Sequence, residues 1–235
     1  MSGGHGVGVR ALTLWKALQA EDVLYLADDE QEAEALAAAL GKLAPENVVI
    51  FLPSSDTLPG DSAPASPANI GQRVAALRML RRSMQAGGVK PIAVVMSGEA
   101  AARLYPDPSA FDAAPPTLRE GDKIDPAGFA QDMYAIGYVS DDRVDEPGEI
   151  AVRGEVIDIY PADAGAPARI EISDGQIASI RHYDPATQLS TGDCEALEIG
   201  RALEPTDGRR CSVFAHLRPG RLFQSGKADQ RRRRF

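Results

Sequence analysis

Three short apolar runs in the first hundred residues constrain the fold of this chain more than any other feature. Each is rich in the β-branched and aromatic residues that favour buried strands, and each is followed by a helical pattern. The runs are VLYLA at 23–27, VVIFL at 48–52 and PIAVVM at 91–96. Strands that alternate with helices in this way predict a parallel sheet with helices on both faces.

The helical patterns between these runs have recognisable ends. Asp28 or Asp29 can cap the first helix, Ala33 to Leu40 supply its buried stripe, and Gly41 stands where a helix stop is expected. A loop rich in Pro, Ser, Asp and Gly follows at 53–67, and the next helix starts at about Asn69. We expect the basic face of that helix to be in solvent; it carries Arg73, Arg78 and Arg81.

The composition changes at Ala113-Ala114-Pro115-Pro116, which suits a domain boundary. A helix is predicted at about 126–136, followed by four strand-like runs that predict an antiparallel meander: EIAVRG, EVIDIYP, ARIEIS and QIASIRHYD. EALEIGRAL at 195–203 is predicted to return to the first lobe as a strand. The predicted divisions are a first lobe at 9–114, a second lobe at 115–190, the returning strand within 191–205, and a poorly ordered tail at 206–235.

Charge and composition narrow the possible partners. The net charge of −9 disfavours broad contact with a phosphate backbone, although the terminal run Arg231, Arg232, Arg233 and Arg234 could touch DNA weakly. No apolar stretch reaches the roughly 18 residues of a membrane span, so we expect a cytoplasmic protein. Cys194 and Cys211 lack the companions that a zinc site or a disulfide framework requires.

The sequence lacks the patterns of a catalytic or cofactor site. A nucleotide-binding loop needs glycines followed by Lys and Ser or Thr, and the glycine-rich GGHGVGVRAL at 3–12 has neither, so we interpret it as a flexible start. His182, Tyr183 and Asp184 have no accompanying nucleophile. An acidic cluster lacks the spacing of a calcium loop and is interpreted as a solvated turn; it comprises Asp141, Asp142, Asp145 and Glu146. We therefore predict a non-enzyme without cofactor or metal.

Two segments resemble a known family. SDTLPGDSAPASPANIGQRVAALRML at 55–80 is similar to part of the N-terminal module of bacterial transcription-repair coupling factors. Residues 118–190 follow the same module, and its homologue in the excision-repair protein UvrB, element by element, including EPGEIAVRGEVIDIYP and SIRHYDPATQ. The resemblance implies an α/β fold: an incomplete helicase-like parallel sheet with flanking helices, as a degenerate P-loop type lobe, plus a smaller α+β lobe with an antiparallel sheet.

The resemblance also implies a function and a site. The family's second lobe docks on UvrA, the damage-recognising ATPase of nucleotide excision repair, and Arg153 and Arg169 match arginines that the family uses for this contact. Ser173 stands where the family has an aromatic partner contact, and Leu189 replaces a family arginine. Without the resemblance, both arginines could simply form surface ion pairs with Glu149, Glu155 or Glu171.

Two other functions remain open at this stage. The chain can be an autoinhibitory or structural part of a larger DNA translocase, because the family lobe can mask its own docking face. Alternatively, it can be a DNA-binding accessory protein that uses the basic tail and the arginine-bearing helix, with Arg73, Arg78, Arg81 and Arg82.

Overall fold

The computed structural model describes residues 6–57, 65–86, 90–206 and 208–225. The α-helices in these residues are α1 (Val7–Leu18), α2 (Glu30–Leu43), α3 (Pro67–Gln85), α4 (Gly98–Ala102) and α5 (Pro126–Ala135). The strands are β1 (Val23–Ala27), β2 (Val48–Leu52), β3 (Ile92–Ser97), β4 (Leu104–Pro106), β5 (Thr117–Arg119), β6 (Val139–Ser140), β7 (Glu149–Arg153), β8 (Val156–Ile159), β9 (Ala168–Ser173), β10 (Gln176–Tyr183), β11 (Ser190–Asp193), β12 (Ala196–Glu198), β13 (Arg210–Ser212) and β14 (Arg221–Gln224). Short 3-10 turns cover Pro108–Phe111 and Val213–His216.

The chain divides into two compact units. The first takes the described residues within 1–55, 76–112 and 206–235, and the second those within 56–75 and 113–205. The second unit therefore includes a segment that the sequence analysis placed in the first lobe. One reason is a close packing contact, because a Cβ on Gly71 of α3 would come within 2.4 Å of the Ala162 backbone. Glycine is the residue that permits this approach.

The first unit is built on a parallel sheet with the order β14-β1-β3-β2. All residues of β1 and β3 are buried, as expected for strands covered on both faces. On one face, α1 and α2 share a core with Tyr25 and Val95, and the alternate residues Leu26 and Met96 are buried on the other. The predicted parallel sheet and its three strands are confirmed.

The ends of the helices differ in detail from the predictions. Asp29 caps α2, as one of the two predicted candidates, by accepting a hydrogen bond from the Glu32 amide. Gly41 does not end this helix, which continues to Leu43. The predicted flexible start is also wrong from Val7 onwards, because α1 begins there and buries apolar side chains at helical spacing, namely Ala11, Leu14 and Leu18.

The predicted disorder of the tail is wrong for residues 208–225. β13 pairs antiparallel with β4, and β14 adds to the edge of the parallel sheet beside β1. His216 is buried against Tyr105 and Phe111, and Arg218 forms two hydrogen bonds with Asp22 at 2.8 and 2.9 Å. These contacts are distant in sequence, so local periodicity does not reveal them. The basic run Arg231, Arg232, Arg233 and Arg234 lies outside the described residues.

The second unit contains a six-stranded sheet with the order β11-β10-β9-β8-β7-β6. Its neighbours are antiparallel except β6 and β7, which run parallel, so the predicted meander of four strands is confirmed. One face packs against α5 in a core that includes Phe129, Met133, Ile157 and Ile170. The opposite face is more polar and carries the predicted site residues.

EALEIGRAL does not return to the first lobe. Its strand, β12, pairs antiparallel with β5 at the start of the second unit, and Leu197 and Ile199 belong to that unit's core. The prediction was wrong because an apolar strand pattern gives the buried face of a strand but not the identity of its neighbour.

Candidate functional site

Arg153 and Arg169 meet on a single carboxylate, that of Asp158. β8 lies between β7 and β9, and Asp158 stands directly opposite Arg169 in the antiparallel register. Arg153 is the last residue of β7, immediately before a two-residue turn that begins with Gly154. Gly154 has a φ of 62°, which suits the first central position of a tight hairpin turn. Turn chemistry and strand register thus bring the two arginines together.

The hydrogen bonds within this trio use both carboxylate oxygens. Arg169 donates from Nε to Oδ1 at 2.7 Å and from Nη2 to Oδ2 at 3.0 Å, which is a bidentate fork. Arg153 donates from Nη1 to Oδ2 at 2.9 Å. These hydrogen bonds raise the pKa of the Arg169 guanidinium above its ordinary value, so it is cationic across the physiological range. One negative charge therefore faces two positive charges.

Burial separates the carboxylate from its partners. The Asp158 side chain is 2% exposed, whereas those of Arg153 and Arg169 are 49% and 34% exposed. A buried carboxylate needs such partners because an isolated charge in an apolar interior is strongly unfavourable. Asp158 can therefore fix the orientation of both guanidiniums while each keeps a face in solvent.

Two further contacts hold the guanidiniums in place. Arg169 lies 5.1 Å from the centroid of the Tyr183 ring, in a cation–π contact. The Tyr183 hydroxyl donates to the Val144 carbonyl at 3.0 Å, and burial raises its pKa, so it remains neutral. Arg153 also donates from Nη2 to the Asp142 carbonyl. The acidic cluster at 141–146 thus forms a loop that borders the arginines.

Ser173 lies on the same face of β9 as Arg169. The strand alternates between buried Ala168, Ile170 and Ile172 and the more exposed residues Arg169, Glu171 and Ser173. Ser173 is four residues from Arg169, about 13 Å along a strand. It is exposed beside the turn at Asp174 and Gly175, where both residues have positive φ, as the Asp-Gly pair of a tight hairpin requires.

The carboxylates considered as ion-pair partners from sequence are not the ones used by Arg153 and Arg169. Glu149 accepts hydrogen bonds from the amides of Asp145 and Glu146 at 2.9 and 2.8 Å. Glu171 pairs instead with Arg181 at 3.1 Å. The missed residue, Asp158, is an acidic side chain inside the apolar strand VIDI, and that interruption was the available signal.

We predicted that the basic face of α3 is in solvent, but Arg73 and Arg81 of that face are paired with other residues of the protein. Arg73 is 1% exposed and donates to Glu204 at 2.6 Å and to the Asn69 side-chain oxygen at 2.5 Å. Arg81 pairs with Asp112 at 2.6 Å. These pairs remove charge from the helix that the DNA-binding alternative relied upon.

The fragment His182, Tyr183 and Asp184 has separate structural contacts. The His182 ring lies 3.3 Å from the Pro167 carbonyl, and Asp184 accepts from the Thr187 amide at 2.7 Å. Among the residues that the structure describes, no group of three His, Cys, Asp or Glu side chains could hold a metal ion. No described helix is long and apolar enough to cross a membrane.

The turn after β1 is where a parallel nucleotide-binding sheet would place its phosphate loop. Here the Glu32 carboxylate lies against the backbone of that turn. It accepts hydrogen bonds from the Asp28 amide at 3.0 Å and from the Tyr25 hydroxyl at 3.1 Å. Arg10 forms an ion pair with the same carboxylate. The start of α2 is therefore filled by the protein's own anion.

Comparison with known proteins places the site residues within a recognised domain. Residues 117–204 match the family described as the UvrB interaction domain. The chain is 28% identical over 173 residues to the transcription-repair-coupling factor of Bacillus subtilis, which covers 74% of this chain and 14% of that protein. It is 29% identical over 187 residues to the Haemophilus influenzae protein of that name, covering 79% and 16% respectively. A match to the Staphylococcus aureus protein is 41% identical over 86 residues, 37% of this chain and 7% of the relative.

Proposed function

We propose that this chain, a relative of the transcription-repair coupling factors with a UvrB interaction domain at residues 117–204, is a non-catalytic docking module of nucleotide excision repair that binds UvrA. The chain spans only about a seventh of the length of the curated relatives it matches, at 14% and 16%. The binding surface would be the polar face of the antiparallel sheet, with Arg153, Arg169 and Ser173 as contact residues. The observation that carries this proposal is the convergence of two half-exposed arginines on one buried carboxylate.

The charge balance of the trio supports a partner that supplies carboxylates. Asp158 offsets one of the two guanidinium charges, and the exposed sides of Arg153 and Arg169 hold the remainder. A guanidinium presents a planar fork of donors that pairs well with carboxylates, and its charge is permanent. Because Asp158 and Tyr183 already orient Arg169, little side-chain freedom is lost on binding.

The described residues of the first unit have no part in this docking proposal. We interpret it as a degenerate nucleotide-binding-like lobe, because it has a parallel sheet but its β1–α2 turn is filled by Glu32. A phosphate would meet this carboxylate where a nucleotide site offers free amides. Calorimetry with Mg²⁺-ATP tests the interpretation, and micromolar binding would overturn it.

Binding of purified UvrA to arginine variants tests the docking proposal. Removing one member of a desolvated charge pair costs about 2 to 5 kcal/mol, so Arg153→Ala or Arg169→Ala should weaken binding by roughly thirtyfold or more. Arg119→Ala is the matched control, since Arg119 is exposed on β5 of the same unit. Equal binding by wild type and both site variants would refute the proposed surface.

A further inference from the structure

A third arginine lies on the same face of the sheet. Arg181 of β10 stands directly opposite Arg169 of β9, and residues in such a register pair point to the same side. Its side chain is 43% exposed, between the exposures of Arg153 and Arg169. Two like charges placed opposite each other are unfavourable unless each has its own counter-ion. Arg169 has Asp158, and Arg181 therefore needs another carboxylate.

The counter-ions of Arg181 differ in kind from Asp158. Its Nη2 donates to Glu171 Oε2 at 3.1 Å, and its Nε lies 3.9 Å from Asp193 Oδ1. The Glu171 side chain is 44% exposed and also accepts from the Ser179 hydroxyl at 2.8 Å. Ion pairs at such exposure contribute little to stability, because water competes for both charges. The Glu171–Arg181 pair can consequently be exchanged, whereas buried Asp158 must keep its partners.

We propose that Arg181 is a third docking arginine, held by Glu171 in the free protein and released to a carboxylate of the partner on binding. This inference rests on the docking function proposed above and adds a residue and an exchange step to it. In the free protein, Glu171 acts as a competitor for the partner's acidic group. Removing its charge should then favour the complex, the opposite of what a purely structural ion pair would show.

The test is a double-mutant cycle on the full chain, with UvrA binding measured at fixed salt concentration. Arg181→Ala should weaken binding roughly fivefold or more. Glu171→Gln keeps the shape and the hydrogen bond to Ser179, and it should tighten binding by about two- to fivefold. In the Arg181→Ala background, Glu171→Gln should tighten binding much less, because there is no longer a guanidinium to release and only the weaker electrostatic effect of Glu171 on Arg169 remains. Arg181→Gln, which retains much of the aliphatic stem, separates loss of charge from loss of packing.

The outcomes distinguish this inference from the docking function itself. If Arg169→Ala weakens binding but Arg181→Ala and Arg181→Gln do not, Arg181 is not a contact residue and the docking function stands. If Glu171→Gln weakens binding, Glu171 holds Arg181 in its binding geometry and the exchange is wrong. If none of the arginine variants changes binding, the inference and the proposed surface fall together.

Discussion

The β1–α2 turn of the first unit and the trio of Arg153, Asp158 and Arg169 in the second unit arrange charge in opposite ways. In the turn, Glu32 is an anion whose oxygens take donors from Arg10, Tyr25 and the Asp28 amide. In the trio, the anion is buried and its two cationic partners extend into solvent. The first arrangement places an anion at the turn where we propose that a nucleotide site has been lost, and the second leaves positive charge available. In the second unit, the exposed members of the ion pairs therefore carry the surplus charge, which is what the docking proposal requires.

The largest expected effect is a loss of stability, and it tests whether buried Asp158 needs Arg153 and Arg169 as counter-ions. The double variant Arg153→Ala/Arg169→Ala leaves a buried carboxylate without a counter-ion, which should lower the free energy of unfolding by about 3 to 5 kcal/mol. Adding Asp158→Asn to the double variant removes that charge and should restore much of the stability, as measured by urea unfolding. UvrA binding should not return with it. Restored binding would show that the arginines matter only for folding.

Glu32→Ala makes the reciprocal change in the first unit. It removes the carboxylate that accepts from Arg10, the Tyr25 hydroxyl and the Asp28 amide, and we expect a loss of about 1 to 3 kcal/mol in stability. UvrA binding should be unchanged because the proposed docking surface lies in the other unit. Thermal unfolding and a binding titration measure the two effects. A loss of binding without a loss of stability would contradict the proposal that only the second unit contributes to UvrA binding.

Ser173→Phe sharpens the description of the open site. If docking follows the family mode, the new ring should supply the missing aromatic contact and tighten the complex by about 1 to 2 kcal/mol. Thr117→Phe is the control, since Thr117 is exposed on β5 of the same unit but lies outside the six-stranded sheet. Equal affinity of Ser173→Phe and wild type would place the partner's apolar surface elsewhere.

The smallest expected effect is a pH dependence of the free energy of unfolding, which arises in the first unit. Burial lowers the pKa of His216, whose Nε2 lies 3.0 Å from the Pro106 carbonyl. The unfolded chain then takes up a proton more readily, so the free energy of unfolding should fall as the pH drops below about 6.5. His216→Phe should flatten this dependence, as followed by urea unfolding between pH 5 and 8. Partner binding should keep its pH profile, because the arginines of the second unit do not titrate there.

Local signals in the sequence account for most elements of the fold. The apolar runs predicted β1, β2 and β3, and the turn residues Gly154, Asp174 and Gly175 separate consecutive strands of the meander. The errors concern pairings between distant segments. β12 joined β5 instead of the first sheet, and β14 joined β1 from a tail that has little periodicity. Hydrophobic pattern specifies which face is buried, and the choice of neighbour depends on packing across the whole unit.

The site was predictable only in part for a similar reason. Family resemblance supplied Arg153, Arg169 and Ser173, but it supplied no account of what holds the arginines. Asp158 is visible in the sequence as a charged residue inside an apolar strand, and only the register shows that it faces Arg169. Arg73 was predicted to lie in solvent but is buried, because a helical wheel cannot show that Glu204 pairs with it.

The hairpin turns that flank Arg153 and Ser173 also bear on how the proposed docking surface forms. Arg153 and Arg169 reach Asp158 across only 5 and 11 positions of chain, whereas Arg73 reaches Glu204 across 131. Short separations close with little loss of chain entropy, so contacts of this kind form early and survive local changes elsewhere. We expect the charge trio to assemble as part of the meander, before the pairings that tie the ends of the unit together. A lengthened surface loop outside the meander should therefore leave the spacing of the two guanidiniums unaltered.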